Sequence, residues 1–145
     1  MTEKLILIQE IKGNLFDSTE CLAHCVSRDF AMSAGIATTF LKLFGGQEEL
    51  KAQNVNIGEV AWLYRDNRYI YYLVTKENYW HKPTYDSIRK CIKNLFILCE
   101  EHGVTSFSIP KLGCGLDRLQ WEKVKHIIIE EWPSIQDFRL NVYYL

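Results

Sequence analysis

Apolar and polar positions alternate from Lys4 to Ile11, the two-residue period of a strand with one buried face, and Gly13-Asn14 closes it. Glu20 to Val26 is instead a short, nearly continuous apolar run, as a central strand buried on both faces requires. Ser33-Ala34-Gly35-Ile36-Ala37 opens a predicted helix with Ile36, Phe40 and Leu43 on one face, and Gly45-Gly46 stops it. A shorter helix is predicted from about Gln47 to Gln53. Glu59 to Arg65 and Tyr69 to Thr75 are β-branched and aromatic and read as a hairpin joined by Asp66-Asn67-Arg68. Thr84 caps a long helix whose Ile88, Cys91, Ile92, Leu95, Phe96 and Cys99 form one stripe, with Gly103 just past its end. Thr105 to Pro110 is a fifth strand; a helix from about Leu119 to Trp132 and a last strand from Phe138 to Leu145 complete the chain. Strands and helices alternating around one hairpin predict a three-layer α/β/α domain, residues 1–145, with a mixed sheet of about six strands.

Composition narrows the class. The chain has 145 residues, 48% apolar, 13% aromatic and 24% charged, with three prolines, which excludes disorder, collagen-like repeats and a disulfide-stapled miniprotein. A chain of this size buries roughly 68–70% of its unfolded surface, enough for a core of its own. No apolar run approaches the ~18 residues of a membrane span, and Met1-Thr2-Glu3-Lys4 leads into the first strand without a cleavage region, so an intracellular globular domain is expected. Seventeen basic against eighteen acidic residues give a net charge of −1, so a grip along a nucleic-acid backbone is not expected. Five cysteines (Cys21, Cys25, Cys91, Cys99, Cys114) read as reduced thiols, four of them as small buried hydrophobes. Cys21, His24 and Cys25 lack the second Cys/His pair that a zinc site needs.

Ligands of open α/β sheets gather beyond the carboxyl ends of the strands, and three such loops carry unusual residues. In Met32 to Ala37, Gly35 admits close backbone approach and the helix start offers free amides, an anion site suited to a pyrophosphate; a plain turn would also need that glycine. Ile109 to Asp117 repeats the pattern with Gly113 and Gly115, and two cradles on one sheet edge are less readily accidental than one. Asp117 closes the second loop, where it faces the site or caps the next helix. The third loop carries Lys76, Lys82 and His81; a lysine ending a buried aromatic strand is partly desolvated, which favours a nucleophilic amine, whereas most lysines are solvated surface charges.

These residues resemble the macrodomains, and within them the terminal ADP-ribose protein glycohydrolases. The resemblance runs through Gly13-Asn14-Leu15-Phe16, Leu22-Ala23-His24-Cys25, Ala34-Gly35-Ile36-Ala37, Thr75-Lys76 and His81-Lys82-Pro83-Thr84-Tyr85. It is most specific in Gly113-Cys114-Gly115-Leu116-Asp117-Arg118-Leu119-Gln120-Trp121. It implies removal of mono-ADP-ribose from glutamate and aspartate side chains, with ADP-ribosylated nucleic acid and O-acyl-ADP-ribose as further substrates. By that resemblance Lys76 is the nucleophile, forming a lysyl–ADP-ribose intermediate, and Asp117 the acid–base residue; Lys82 matches the pattern without a chemical role. Substrate contacts carry over to Asn14 and Leu15 near adenine, and to Ser27, Ala34, Gly35, Ile36 and Ala37 at the first loop. Lys111, Leu112, Gly113, Cys114, Gly115 and Leu116 fall around the diphosphate and distal ribose, and Leu145 falls where the chain closes over the ligand. No cofactor or metal is implied. The implied partners are ADP-ribose and mono-ADP-ribosylated proteins, without a membrane; a monomer of the nucleus or cytoplasm is expected.

Two positions depart from the family pattern. Asn14 stands where macrodomains usually carry an aspartate that accepts from the adenine amino group, and without the charge that bond weakens. Ser33 replaces a glycine of the first loop. Rival readings are a non-catalytic ADP-ribose reader, a phosphatase for ADP-ribose 1″-phosphate, and a thiol enzyme using Cys114, for which the sequence fixes no neighbouring base.

Overall fold

A computed structural model describes residues 6–133 and 138–145. The strands are β1 (Ile6–Lys12), β2 (Cys21–Ser27), β3 (Val60–Arg65), β4 (Arg68–Lys76), β5 (Ser106–Pro110) and β6 (Phe138–Tyr144). The helices are α1 (Ile36–Phe44), α2 (Gln47–Lys51), α3 (Tyr85–His102) and α4 (Trp121–Glu131). One six-stranded sheet runs in the order β1-β6-β5-β2-β4-β3, parallel except for the β3–β4 hairpin.

The expected elements are present, with shifted ends that have physical causes. The first strand extends to Lys12, while Lys4 and Leu5 lie outside the described residues. The hairpin turn has two residues rather than three: Asp66 and Asn67 take φ of 54° and 62°, the left-handed pair that matches strand twist, and Arg68 already belongs to β4. The fourth helix starts at Trp121 because the Leu119 amide donates to the Gly113 carbonyl (2.7 Å), holding residues 113–119 in the loop. A 3₁₀ turn over Leu15–Asp17 was not anticipated; the Asn14 side chain caps it by accepting from the Phe16 amide at 2.9 Å.

The sheet is covered on both faces. On one side α3 and α4 pack Ile88, Ile92, Phe96, Val124 and Ile128 against Ala23, Leu73 and Phe107. On the other, α1 and α2 pack Phe40, Phe44 and Leu50 against Leu22, Val26, Ile70 and Tyr72. The buried face of α1 is therefore Phe40 and Phe44, not the expected Ile36, Phe40 and Leu43; Leu43 is 54% exposed. Ile36 sits at the helix start and lines the cavity, 36% exposed. Cys91 and Cys99 are fully buried, whereas Cys21, Cys25 and Cys114 are partly accessible, so the cysteines are less uniformly buried than expected.

β1 and β3 are the two edge strands of the sheet, and β3 carries a substitute partner. There the Gln53 amide donates to the Trp62 carbonyl (2.8 Å) and accepts from the Trp62 amide (3.1 Å), as a neighbouring strand would.

His24 points from β2 under α1, where its ring stacks on Phe40 at 3.6 Å. It is fully buried, and among the described residues neither ring nitrogen has a hydrogen-bond partner. Burial therefore pushes its pKa down from 6.5 to about 3. Below about 6.5 the unfolded chain takes up a proton that the folded chain refuses, so stability present above that value is lost as pH falls toward about 3. We expect about 2 kcal/mol of unfolding free energy to disappear between pH 7 and pH 5 from this residue. Urea denaturation at the two pH values should show that loss, and His24→Leu should flatten most of it.

Candidate active site

The carboxyl ends of β2, β4, β5 and β6 meet at one edge of the sheet, and a cavity of about 980 Å³ opens above them. Every residue singled out from the sequence lines it, from Asn14, Leu15 and Leu145 at one end, past Ser27, Ala34 to Ala37 and Lys111 to Leu116, to Lys76 and Asp117.

The lysine is aimed by a local irregularity. Between β2 and β4 the register slips: Val26 pairs with Val74, but Ser27 pairs with Lys76, leaving Thr75 extra. Such bulges re-aim a side chain beside a site. The segment is tied down on both sides, by the Arg28 amide donating to the Lys76 carbonyl (2.8 Å) and the Ser87 hydroxyl donating to the Thr75 carbonyl (2.8 Å). Ser87 belongs to the capping box that Thr84 makes at the start of α3, so the helix start and the lysine are positioned together.

Asp117 arrives from the second glycine loop. Gly113 has φ +71°, a conformation that strains any residue with a Cβ, and a Cβ there would press on Leu119 Cδ1 at 2.8 Å. Lys76 Nζ donates to Asp117 Oδ1 at 2.7 Å, with the two side chains only 13% and 20% exposed. The amine and the carboxylate that the sequence put 41 positions apart are one unit.

The first loop supplies the other wall. Gly35 has φ +61° and ψ −148°, a combination open essentially to glycine, and it starts α1 with no side-chain cap. The Thr38 amide turns back to the Gly35 carbonyl (3.2 Å), which leaves the Ile36 and Ala37 amides, among the described residues, for an anion at the cavity. Ser27 lines the cavity but donates its hydroxyl to Asp29, which also accepts from the Ala31 and Tyr79 amides. Burial alone would raise the Asp29 pKa, but these hydrogen bonds hold it below the ordinary value. Asn14 spends one lone pair on the Phe16 amide and keeps the other open to solvent.

The Macro domain family model matches residues 23–128 of this sequence. The chain belongs to the Macro domain family. The protein named ADP-ribose glycohydrolase OARD1 of Bos taurus is 51% identical over 140 residues, 95% of this macrodomain and 91% of the bovine protein. Its namesake in Homo sapiens is 50% identical over the same shares of both chains. The solved macrodomain of Thermus aquaticus DarG is 25% identical, with a TM-score of 0.85 over 96% of this chain and 99% of that one.

The macrodomain cavity also contains residues that sequence reasoning passed over. Phe16, Tyr143 and Tyr144 flank Asn14, Leu15 and Leu145, while Tyr79 and Trp80 stand beyond Lys76. Phe16 lies within the Gly13-Asn14-Leu15-Phe16 motif; the others had only their aromatic character, beside a loop or in the last strand, as a signal. Lys82 and His81 line the same cavity. Among the described residues, no three His, Cys, Asp or Glu side chains converge as a metal would require.

Cys114 lines the cavity too, with its thiol directed at the Leu112 carbonyl (3.2 Å). Burial pushes its pKa up to about 11, against a smaller opposing effect of Lys111. A thiol two pH units above its usual value has roughly a hundredfold less thiolate near neutral pH. Iodoacetamide at pH 7.5, followed by mass spectrometry, should therefore label Cys114 at least tenfold more slowly than a free model thiol.

Proposed function

We propose that this protein hydrolyses the bond between mono-ADP-ribose and glutamate or aspartate side chains of proteins, through a covalent intermediate on Lys76. The observation that carries this reading is the 2.7 Å contact between Lys76 and Asp117 at one end of a cavity walled by two glycine loops. The names of its mammalian relatives support it. A binding module would need the cradles but neither of these two groups.

The chain's own residues can divide the work. Adenine lies toward Asn14, Leu15 and Leu145, and the diphosphate meets the amides near Gly35 and Gly113 to Gly115. Binding there fixes the anomeric carbon, C1″, of the distal ribose against Lys76. Asp117 takes a proton from the Lys76 ammonium, and the freed electron pair attacks C1″. The C1″–oxygen bond to the acceptor breaks, and the acceptor leaves as a carboxylate. The adduct's Nζ then loses one proton to solvent, and opening of the ribose ring, with Asp117 returning its own proton to the ring oxygen, gives a protonated Schiff base between C1″ and Nζ. Water then adds to C1″ and the C1″–Nζ bond breaks, releasing ADP-ribose and restoring the amine. Attack of Lys76 at C1″ also serves O-acyl-ADP-ribose when its acyl oxygen is bonded to C1″, and an ADP-ribosylated nucleic acid, whose acceptor atom then leaves C1″ in place of the carboxylate. We place the protein in the nucleus or cytoplasm, acting as a monomer.

Lys76→Ala is expected to cut ADP-ribose release from a glutamate-modified protein by a thousandfold or more, roughly the ~4 kcal/mol of an essential group, while ADP-ribose affinity stays within a few-fold. Asp117→Ala should lose turnover as well, and Lys82→Ala should retain clear turnover. Borohydride added during turnover should trap an adduct that peptide mapping finds on Lys76; an adduct on Lys82, or full activity in Lys76→Ala, would sink the assignment.

Calorimetry separately tests the span of the site. ADP-ribose should bind more tightly than AMP, because AMP cannot reach both glycine loops. Asn14→Asp should strengthen binding by about tenfold or less, one charge-assisted hydrogen bond. Equal affinities for ADP-ribose and AMP would contradict a site that spans the diphosphate.

A further inference from the structure

Beyond Lys76 and Asp117, at the end opposite Asn14, the cavity wall becomes aromatic and exposed. Tyr79 and Trp80 are 56% and 65% exposed, with ring centroids 5.1 Å apart and planes at 90°. The His81 ring lies 5.3 Å from Trp80. Large aromatic rings left in water at a cavity mouth mark a surface that something covers.

The segment carrying them is held in place. Asp29 accepts from the Tyr79 amide at 3.2 Å, the His81 amide donates to the Asn78 carbonyl at 3.0 Å, and the Asn78 amide donates to His81 Nδ1 at 3.2 Å. The Arg28–Glu77 ion pair, 3.1 Å, braces its start. A preorganised platform binds without first having to order itself.

Charge at this rim is nearly all matched. Glu77 pairs with Arg28, Asp86 with Lys90 and Asp117 with Lys76, while Asp29 is turned onto Ser27, Ala31 and Tyr79. Lys82 is exposed and forms no ion pair among the described residues. Ring faces beside a free cation are the combination that takes single-stranded nucleic acid, with bases on the rings and a phosphate at the cation. An acidic peptide would use the cation and leave the ring faces in water.

We propose that Tyr79 and Trp80 form an acceptor subsite that stacks a base of single-stranded nucleic acid, next to the point where ADP-ribose is attached, with Lys82 meeting an adjacent phosphate. The subsite rests on the ADP-ribose-releasing reading of the cavity and names what its outer end receives. With a net charge of −1, stacking rather than phosphate neutralisation carries the binding. A single phosphate contact sets a shallow salt dependence, a log–log slope of about −0.7.

Tryptophan fluorescence titrated with a short, unmodified single-stranded oligonucleotide reads this subsite without turnover. The wild type should be quenched saturably with that shallow slope; Trp80→Ala, folded by circular dichroism, should lose the quench, and Lys76→Ala should keep it. The ratio of kcat/KM on a base-modified oligonucleotide to that on a glutamate-modified peptide should fall about tenfold in Trp80→Ala and largely recover in Trp80→Phe. No saturable quench, a quench unchanged in Trp80→Ala, or a ratio that stays level or rises would overturn the subsite. A quench that depends on Trp80 in a protein that releases ADP-ribose from neither substrate would leave the subsite standing and remove the catalytic reading instead.

Discussion

An ammonium and a carboxylate 2.7 Å apart stay together in a largely water-excluded place only when neither backbone can swing away. Exposed ion pairs of the same length are worth about 0–1 kcal/mol and wander. Here the lysine end is pinned by the slipped β2–β4 register and by donors from Arg28 and Ser87, the aspartate end by the tight turn at Gly113. The parallel order of β2, β4 and β5 brings both ends to one edge. Cradles, cavity and reacting pair all follow from those strands finishing side by side.

Asp29 gives the site a second centre of order. One carboxylate gathers the end of β2 through Ser27, the start of the first loop through Ala31, and the loop beyond Lys76 through Tyr79. The walls on either side of the lysine therefore share a support, and a shift in one is felt in the other. In the loop between them, Phe30 and Met32 are buried although their φ values are 50° and 45°. Side chains that fill the core hold a backbone shape which the local chain would not choose.

Much of this was legible in the sequence because the relevant signals are local. The stripe on α3, its Thr84 cap and terminal Gly103, and the continuous apolar run of β2 each state their element within a dozen residues. The candidate site was legible through its glycines and through family motifs, which brought Lys76 and Asp117 forward together. What stayed hidden is set by pairing across distance. The slip that aims Lys76 exists only when β2 lies beside β4, and the 3₁₀ turn after Asn14 depends on a side-chain cap rather than on periodicity. The buried face of α1 is carried by Phe40 and Phe44 alone, because Ile36 at the helix start lines the cavity and Leu43 is left exposed, which periodicity by residue type does not show. Nothing in the order of residues announces that Ser27, Asp29 and Tyr79 meet.

Gln53 carries a consequence for the molecule among its own copies. A terminal strand with bare amides and carbonyls is a template on which a foreign strand can grow. At the midpoint of β3 that row is already answered by a side-chain amide that imitates a partner strand in both directions. An incoming strand would have to evict it and then tolerate unmatched groups until pairing resumed on either side. One glutamine thus interrupts this edge seam of the sheet at its middle, where a foreign strand would otherwise find a continuous row.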